Sequence, residues 1–261
     1  MLCVTTLFPS AAHATKLLSV DYISSIVTDF ADVGLQPLHW TSKEALQLGA
    51  IAGITAFLFT KDDSVFEYVQ RNRSGIADSI FNSTVLLGDG YVLSGSLLIG
   101  NVIANISQDE KLNETTLIAL KSYLISGAYV RIGKQLSQRY RPTYGSSETW
   151  NGPGLSVSDA TKAFPSGHSA SAWSVATIIA SKYGDNPLVP ITSYSLATLA
   201  SLALVYKNYH WASDVFAGGA LGFAVSHALL WKEEKKSLAD ALIHPQLFLD
   251  GVALVIDVPL K

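Results

Sequence analysis

Six apolar stretches dominate the hydrophobic pattern, at residues 45–60, 91–106, 117–132, 168–181, 191–206 and 215–231. They are rich in Ala, Leu and Gly, outrun typical strands and are punctuated by Gly or Pro clusters, so the pattern predicts helices. Each is about 14 to 17 residues long, short of the ~20 that cross a bilayer unaided. The pattern therefore leaves a membrane-embedded bundle and a soluble bundle both open. Gly49, Gly53, Gly218, Gly219 and Gly222 permit close helix contacts in either setting. The connections 61–90 and 133–167 are long and polar, whereas 107–116, 182–190 and 207–214 are short. In an up-down arrangement, the two long connections and the 207–214 link fall at the same end. The expected fold is all-α, a six-helix bundle with its chemistry at that end.

Outside the bundle, residues 1–14 carry a short apolar stretch and Ala12-His13-Ala14, and are read as a signal peptide although no base precedes the stretch. Residues 15–44 are read as a peripheral segment, 45–231 as the helical domain and 232–261 as a tail, in which Asp250-Gly251 suits a hairpin turn. The segment 61–90 looks amphipathic; a solvated connecting helix is the expectation, with a lid or lateral gate as the alternative.

Composition narrows the function. The chain is 49% hydrophobic and 15% charged with a formal charge of -3, which excludes disorder and bulk attraction to polyanions. Any anion must be met by a local cluster of bases. The single Cys3 excludes a disulfide framework and a thiolate metal site.

Three segments carry candidate chemistry. In the first, Lys134 and Arg141 stand seven residues apart before Pro142, so on one helix they share a face and reach one anion; a solvated helix end is the plainer alternative. The second, Phe164-Pro165-Ser166-Gly167-His168, enters an apolar helix, where free N–H groups attract oxyanions and Gly167 lets the backbone come close. His168 then stands beside the anion, placed to donate a proton, or Ser166 is a plain N-cap and the histidine structural. In the third, His210 and Asp214 lie one helical turn apart, so the carboxylate could fix the imidazole tautomer and leave the other nitrogen free to attack, or the two form a structural pair. His39 and His227 have no partner set by spacing and are read as structural.

Together these segments resemble the phosphatidic acid phosphatase type 2 (PAP2) superfamily, which includes bacterial acid phosphatases and vanadium haloperoxidases. The family pattern is K-x6-R-P, P-S-G-H and S-R-x5-H-x3-D. Lys134, Arg141 and Pro142 match the first motif, Pro165 to His168 the second, and His210 and Asp214 the end of the third, over roughly residues 45–231. The Ser-Arg of the third motif is absent; Ala203-Leu204 stands there, and Lys207 or Arg139 is the candidate replacement for the lost charge.

The resemblance implies cofactor-free, metal-independent hydrolysis of a phosphoester through a phosphohistidine. In it His210 is the nucleophile, Asp214 its support and His168 the acid and base, and Lys134, Arg141, Ser166, Gly167 and Lys207 bind phosphate. The implied substrate is a phosphorylated lipid, of phosphatidate or polyprenyl pyrophosphate type, met at a membrane by a periplasm-facing site. The alternative is a soluble periplasmic acid phosphatase acting on small phosphomonoesters; a haloperoxidase and a non-catalytic phosphate or lipid binder are further competitors. Bases gather on the site side, whereas the short loops opposite hold few, so loop charge gives an outward-facing site little support.

Overall fold

The computed structural model of the chain describes residue 17 and residues 19–248 and 251–256. The proposed signal peptide and Asp250 lie outside these residues. Nine helices run in order among them: α1 (Val20–Leu35), α2 (Ser42–Phe59), α3 (Asp62–Arg71), α4 (Gly75–Thr84), α5 (Gly90–Ser107), α6 (Glu110–Ser137), α7 (Gly167–Lys182), α8 (Leu188–Tyr206) and α9 (Ala212–Leu242). An antiparallel pair, β1 (Ile243–Phe248) and β2 (Gly251–Ile256), follows, with Phe248 opposite Gly251; the expected Asp250-Gly251 turn falls partly outside the described residues.

The six expected helices are α2 and α5 to α9, and the chain is an all-α helical bundle with this small hairpin appended. They exceed the apolar stretches because polar caps extend them. Asp89 Oδ1 accepts the Tyr91 and Val92 N–H groups at the start of α5, and Asp109 accepts Leu112 N–H at the start of α6. Among the described residues, three helices are long and apolar enough to cross a membrane: Gly90–Ser107, Leu188–Tyr206 and Ala212–Lys236.

Helix α7 is the central post, packed against α6, α8 and α9. Leu97, Ile118, Val175 and Ile178 fill the α5–α6–α7 side, and Ala172, Ala176, Ala197 and Ala200 the α7–α8 side. Against α9 the packing is closer still: a Cβ at Gly218 would lie 2.2 Å from the Ser166 carbonyl oxygen, and one at Gly222 2.2 Å from that of Ala170. Gly49 and Gly53 meet nothing within 4 Å among the described residues, so the close contact expected of them is not made. Behind α6, helix α1 docks through Tyr22 O–H on the Leu117 carbonyl (2.8 Å) and a buried Lys121–Asp29 ion pair (2.7 Å).

Candidate active site

The N-termini of α7 and α9 meet at one end of the bundle, each presenting N–H groups and the positive end of its dipole. Ser166 caps α7 by accepting Ser169 N–H (3.4 Å), and its own N–H donates to the Asp214 carbonyl (2.9 Å), which locks the two helix starts together. Gly218 permits that approach. Gly167 and His168 form the first turn of α7.

His210 precedes α9 rather than sharing a helix with Asp214, which corrects the expected one-turn pairing. The chain leaves α8 through Asn208, whose φ of 60° is left-handed, and the N–H groups of Tyr209 and His210 both donate to the Leu204 carbonyl (3.0 and 3.4 Å). Asp214 then lies in the first turn of α9, where Oδ2 accepts Trp211 N–H (2.8 Å). The same oxygen stands 3.6 Å from His210 Nδ1, beyond hydrogen-bond length but close enough to act on the ring by charge. His210 is 2% exposed. Burial, then the charges of Lys134, Arg141 and His168, hold its imidazole well below the ordinary histidine range, so the ring is uncharged at neutral pH.

Lys134 and Arg141 do converge on this histidine, though not as neighbours on one helix face. Helix α6 ends at Ser137, and Gln138 at φ 44° turns the chain away. Arg141 returns from the loop, its N–H donating to the Ala160 carbonyl (2.9 Å), while Lys134 Nζ donates to the Lys162 carbonyl. Arg141 Nε and His210 Nδ1 are buried without a hydrogen-bond partner among the described residues.

Neither candidate for the missing arginine takes its place. Arg139 is fully buried, with its guanidinium held by Asp214 Oδ1 (2.6 Å), Asp62 Oδ2 (2.7 Å), Ser213 Oγ (2.7 Å) and the Ser147 carbonyl, inside a ring of Phe59, Trp150 and Trp211. It serves the back of Asp214. Lys207 donates to Asn82 Oδ1 and lies over the Tyr209 ring; its charge acts on Asp78, whereas Lys134 and Arg141 act on both histidines. Leu204, at the arginine's position, is itself buried.

Sequence reading missed three acids here. Asp89, the cap of α5, brings Oδ2 to 3.9 Å from His168 Nε2. Asp62 is buried on Ser213 and Arg139, and Asp63 Oδ2 accepts Ser147 O–H (2.6 Å). Helix α3 is therefore packed against the site, which corrects the expectation of a solvated connecting helix. The adjacent Asp62-Asp63 pair was the available signal, and no fixed spacing tied it to the motifs.

Comparison with known proteins agrees with this arrangement. The family model of the PAP2 superfamily matches residues 115–237. A lipid A 1-phosphatase of Porphyromonas gingivalis is 31% identical over 108 residues, 41% of this chain and 21% of the relative, so the chain spans about a fifth of that protein's length. The crystal structure of Aquifex aeolicus LpxE shares the fold, with a TM-score of 0.52 and 23% identity over 65% of this chain and 94% of that one. A transmembrane PAP2 type phosphatidylglycerolphosphate phosphatase from Bacillus subtilis aligns with a TM-score of 0.49 and 17% identity over 83% of this chain and 96% of that one. The matched segment contains all three motif regions and the helix ends that bring them together, so over residues 115–237 the chain is similar to the PAP2 superfamily.

Proposed function

We propose that this chain is a membrane-embedded, metal-independent phosphatase that removes phosphate from a phosphorylated lipid through a phosphohistidine on His210. The observation that carries the reading is the convergence of Lys134, Arg141 and His168 on a buried, uncharged His210 with the Asp214 carboxylate behind it. An uncharged imidazole keeps the lone pair that attack requires.

In this reading the ring nitrogen remote from Asp214 attacks phosphorus, an N–P bond forms as the P–O ester bond breaks, and His168 gives its proton to the leaving oxygen. Water then attacks phosphorus, His168 takes its proton, and the N–P bond breaks. Lys134, Arg141 and the N–H groups around Ser166 and Gly167 hold the equatorial oxygens, where phosphoryl transfer concentrates charge. Asp214 offsets the positive ring of the intermediate.

A lipid substrate is favoured over a small soluble phosphomonoester by the outer faces of the helices. On α5, Ile99, Val102, Ile103 and Ile106 are all more than half exposed, and on α8 so is Ile191. Apolar faces of this extent need a cover, and acyl chains supply it. The similarity to a lipid A 1-phosphatase points to a phosphorylated, acylated sugar beside phosphatidate and polyprenyl pyrophosphate.

The test is phosphate release from detergent-solubilised full chain, on a vesicle-borne lipid phosphate and on 4-nitrophenyl phosphate. His210→Ala is expected to lower turnover of both by at least about 10,000-fold, and vanadate, which mimics five-coordinate phosphorus, is expected to inhibit the wild type. Wild-type turnover in His210→Ala would overturn the mechanism. Turnover of the aryl phosphate alone would replace the lipid substrate with small phosphomonoesters.

A further inference from the structure

We infer that α3 is a brace that sets the position of the nucleophile's turn, with Asp62 and Gln70 as positioning residues; the inference rests on His210 being the nucleophile. Helix α3 lies before the segment that the family model matches, and no motif includes it.

Asp62, Phe66 and Gln70 are spaced by four, so they form one face of α3. That face runs antiparallel along residues 208–213, making contact at both ends of the His210 turn and in its middle. Gln70 Nε2 donates to Asn208 Oδ1 at 2.6 Å. The Phe66 ring packs 5.8 Å from that of Trp211, centroid to centroid. Asp62 Oδ1 accepts Ser213 N–H at 3.0 Å, and Oδ2 accepts Arg139 Nη2 at 2.7 Å and the Ser213 hydroxyl.

Each contact bears on a group that the chemistry depends on. Asn208 sits at φ 60°, a conformation that side-chain-bearing residues seldom adopt, and its side chain is the handle by which α3 holds it. Ser213 N–H belongs to the first turn of α9, where helix donors lack intrahelical acceptors; the Asp62 carboxylate caps it from another helix. Arg139 spans Asp62 and Asp214 with its two terminal nitrogens, so the plane of the guanidinium transmits the position of α3 to the carboxylate that faces His210. A nucleophile turn held at three points keeps the imidazole aligned with phosphorus, and an error of about 1 Å in such alignment costs on the order of 100-fold in rate. The phosphate cations Lys134 and Arg141 make no contact with this face in the hydrogen bonds described, so substrate binding is expected to be spared.

The experiment compares Asp62→Asn and Gln70→Ala with wild type in the solubilised full chain, reading kcat and KM on 4-nitrophenyl phosphate beside the thermal unfolding midpoint. The expected result for each is a kcat lowered about 10- to 100-fold, KM within about threefold, and a folded protein at the assay temperature. Gln70→Glu, which pairs again once the Asn208 amide flips, is expected to recover most of the kcat lost in Gln70→Ala. Wild-type kcat in both folded variants overturns the inference, as does a loss that vanishes when activity is normalised to folded protein. If Asp62→Asn does not fold, Gln70→Ala and its rescue decide alone. His210→Ala run alongside separates the two readings: full activity there removes the nucleophile, whereas inactivity there with unaffected α3 variants removes only the brace.

Discussion

At the scale of single residues, the site is built by burying charge in pairs and leaving selected groups unpaired. Arg139 is neutralised by two carboxylates, whereas His210 Nδ1 and Arg141 Nε have no hydrogen-bond partner among the described residues. Buried polar atoms without partners are costly; a bound anion would offset that cost at Arg141 Nε, and a closer approach of Asp214 Oδ2, now 3.6 Å away, would offset it at His210 Nδ1. Lys207 stands apart from this economy of contacts. Its ammonium is engaged by Asn82 and the Tyr209 face, so Lys207→Met is expected to leave phosphate release within about twofold of wild type, as surface changes away from a site usually do; a loss of tenfold or more in a phosphate-release assay would return Lys207 to the phosphate. The residues that spacing made legible were Lys134, Arg141, His168, His210 and Asp214, because each sits in a short run where distance along the chain limits distance in space. Asp62 and Asp89 were not legible. Their partners Arg139 and His168 lie far along the chain, and no local periodicity records such a contact.

At the scale of elements, the hydrophobic pattern located the six bundle helices but not their ends or their neighbours. Ends depend on caps such as Asp89 and Asp109, which are polar residues outside the apolar run. Neighbours depend on which glycine faces another backbone: Gly49 and Gly218 look alike in sequence, yet only Gly218 touches one. Gly218→Ala is therefore expected to push α9 off the start of α7, lowering the thermal midpoint and phosphate release together, with a cost of about 1–3 kcal/mol for an overpacked site. Gly49→Ala is expected to be neutral or to stabilise by up to about 1 kcal/mol through helix propensity. Equal midpoints for the two variants would contradict the close packing of α7 on α9. Helix α3 shows the limit of pattern reading most clearly. Its amphipathic face was legible, but an apolar and polar stripe does not say whether solvent or a catalytic turn covers it.

For the whole molecule, the two ends of the bundle differ in kind. One end holds His168 and His210. At the other, Glu114, Lys182, Trp231, Glu233 and Glu234 line one open cavity, Lys111 pairs with Asp185, and Lys235 stacks on Trp231. Helix α9 thus carries the charged run 232–236 to the end opposite the site, adding bases there that loop counting had left out. Lys232, Lys235 and Lys236 offset part, not all, of the excess of bases on the site side, so loop charge alone does not orient the site and labelling decides it. In a chain whose Cys3 is replaced by Ser, Glu148→Cys is expected to react with a membrane-impermeant maleimide on intact cells, and Asp185→Cys only after permeabilisation. The reverse pattern would turn the site inward. The bond from Arg139 to Asp62 spans 77 residues and that from Ser213 to Asp62 spans 151. In the order of synthesis, Asp62 is made long before either partner, and the turn bearing His210 is not gripped at its far end until α9 has begun to form. Completion of the site is thereby coupled to completion of the bundle, so a chain stalled before its last helix holds Lys134 and Arg141 but not the Asp62–Ser213 contact that closes the far end of the His210 turn.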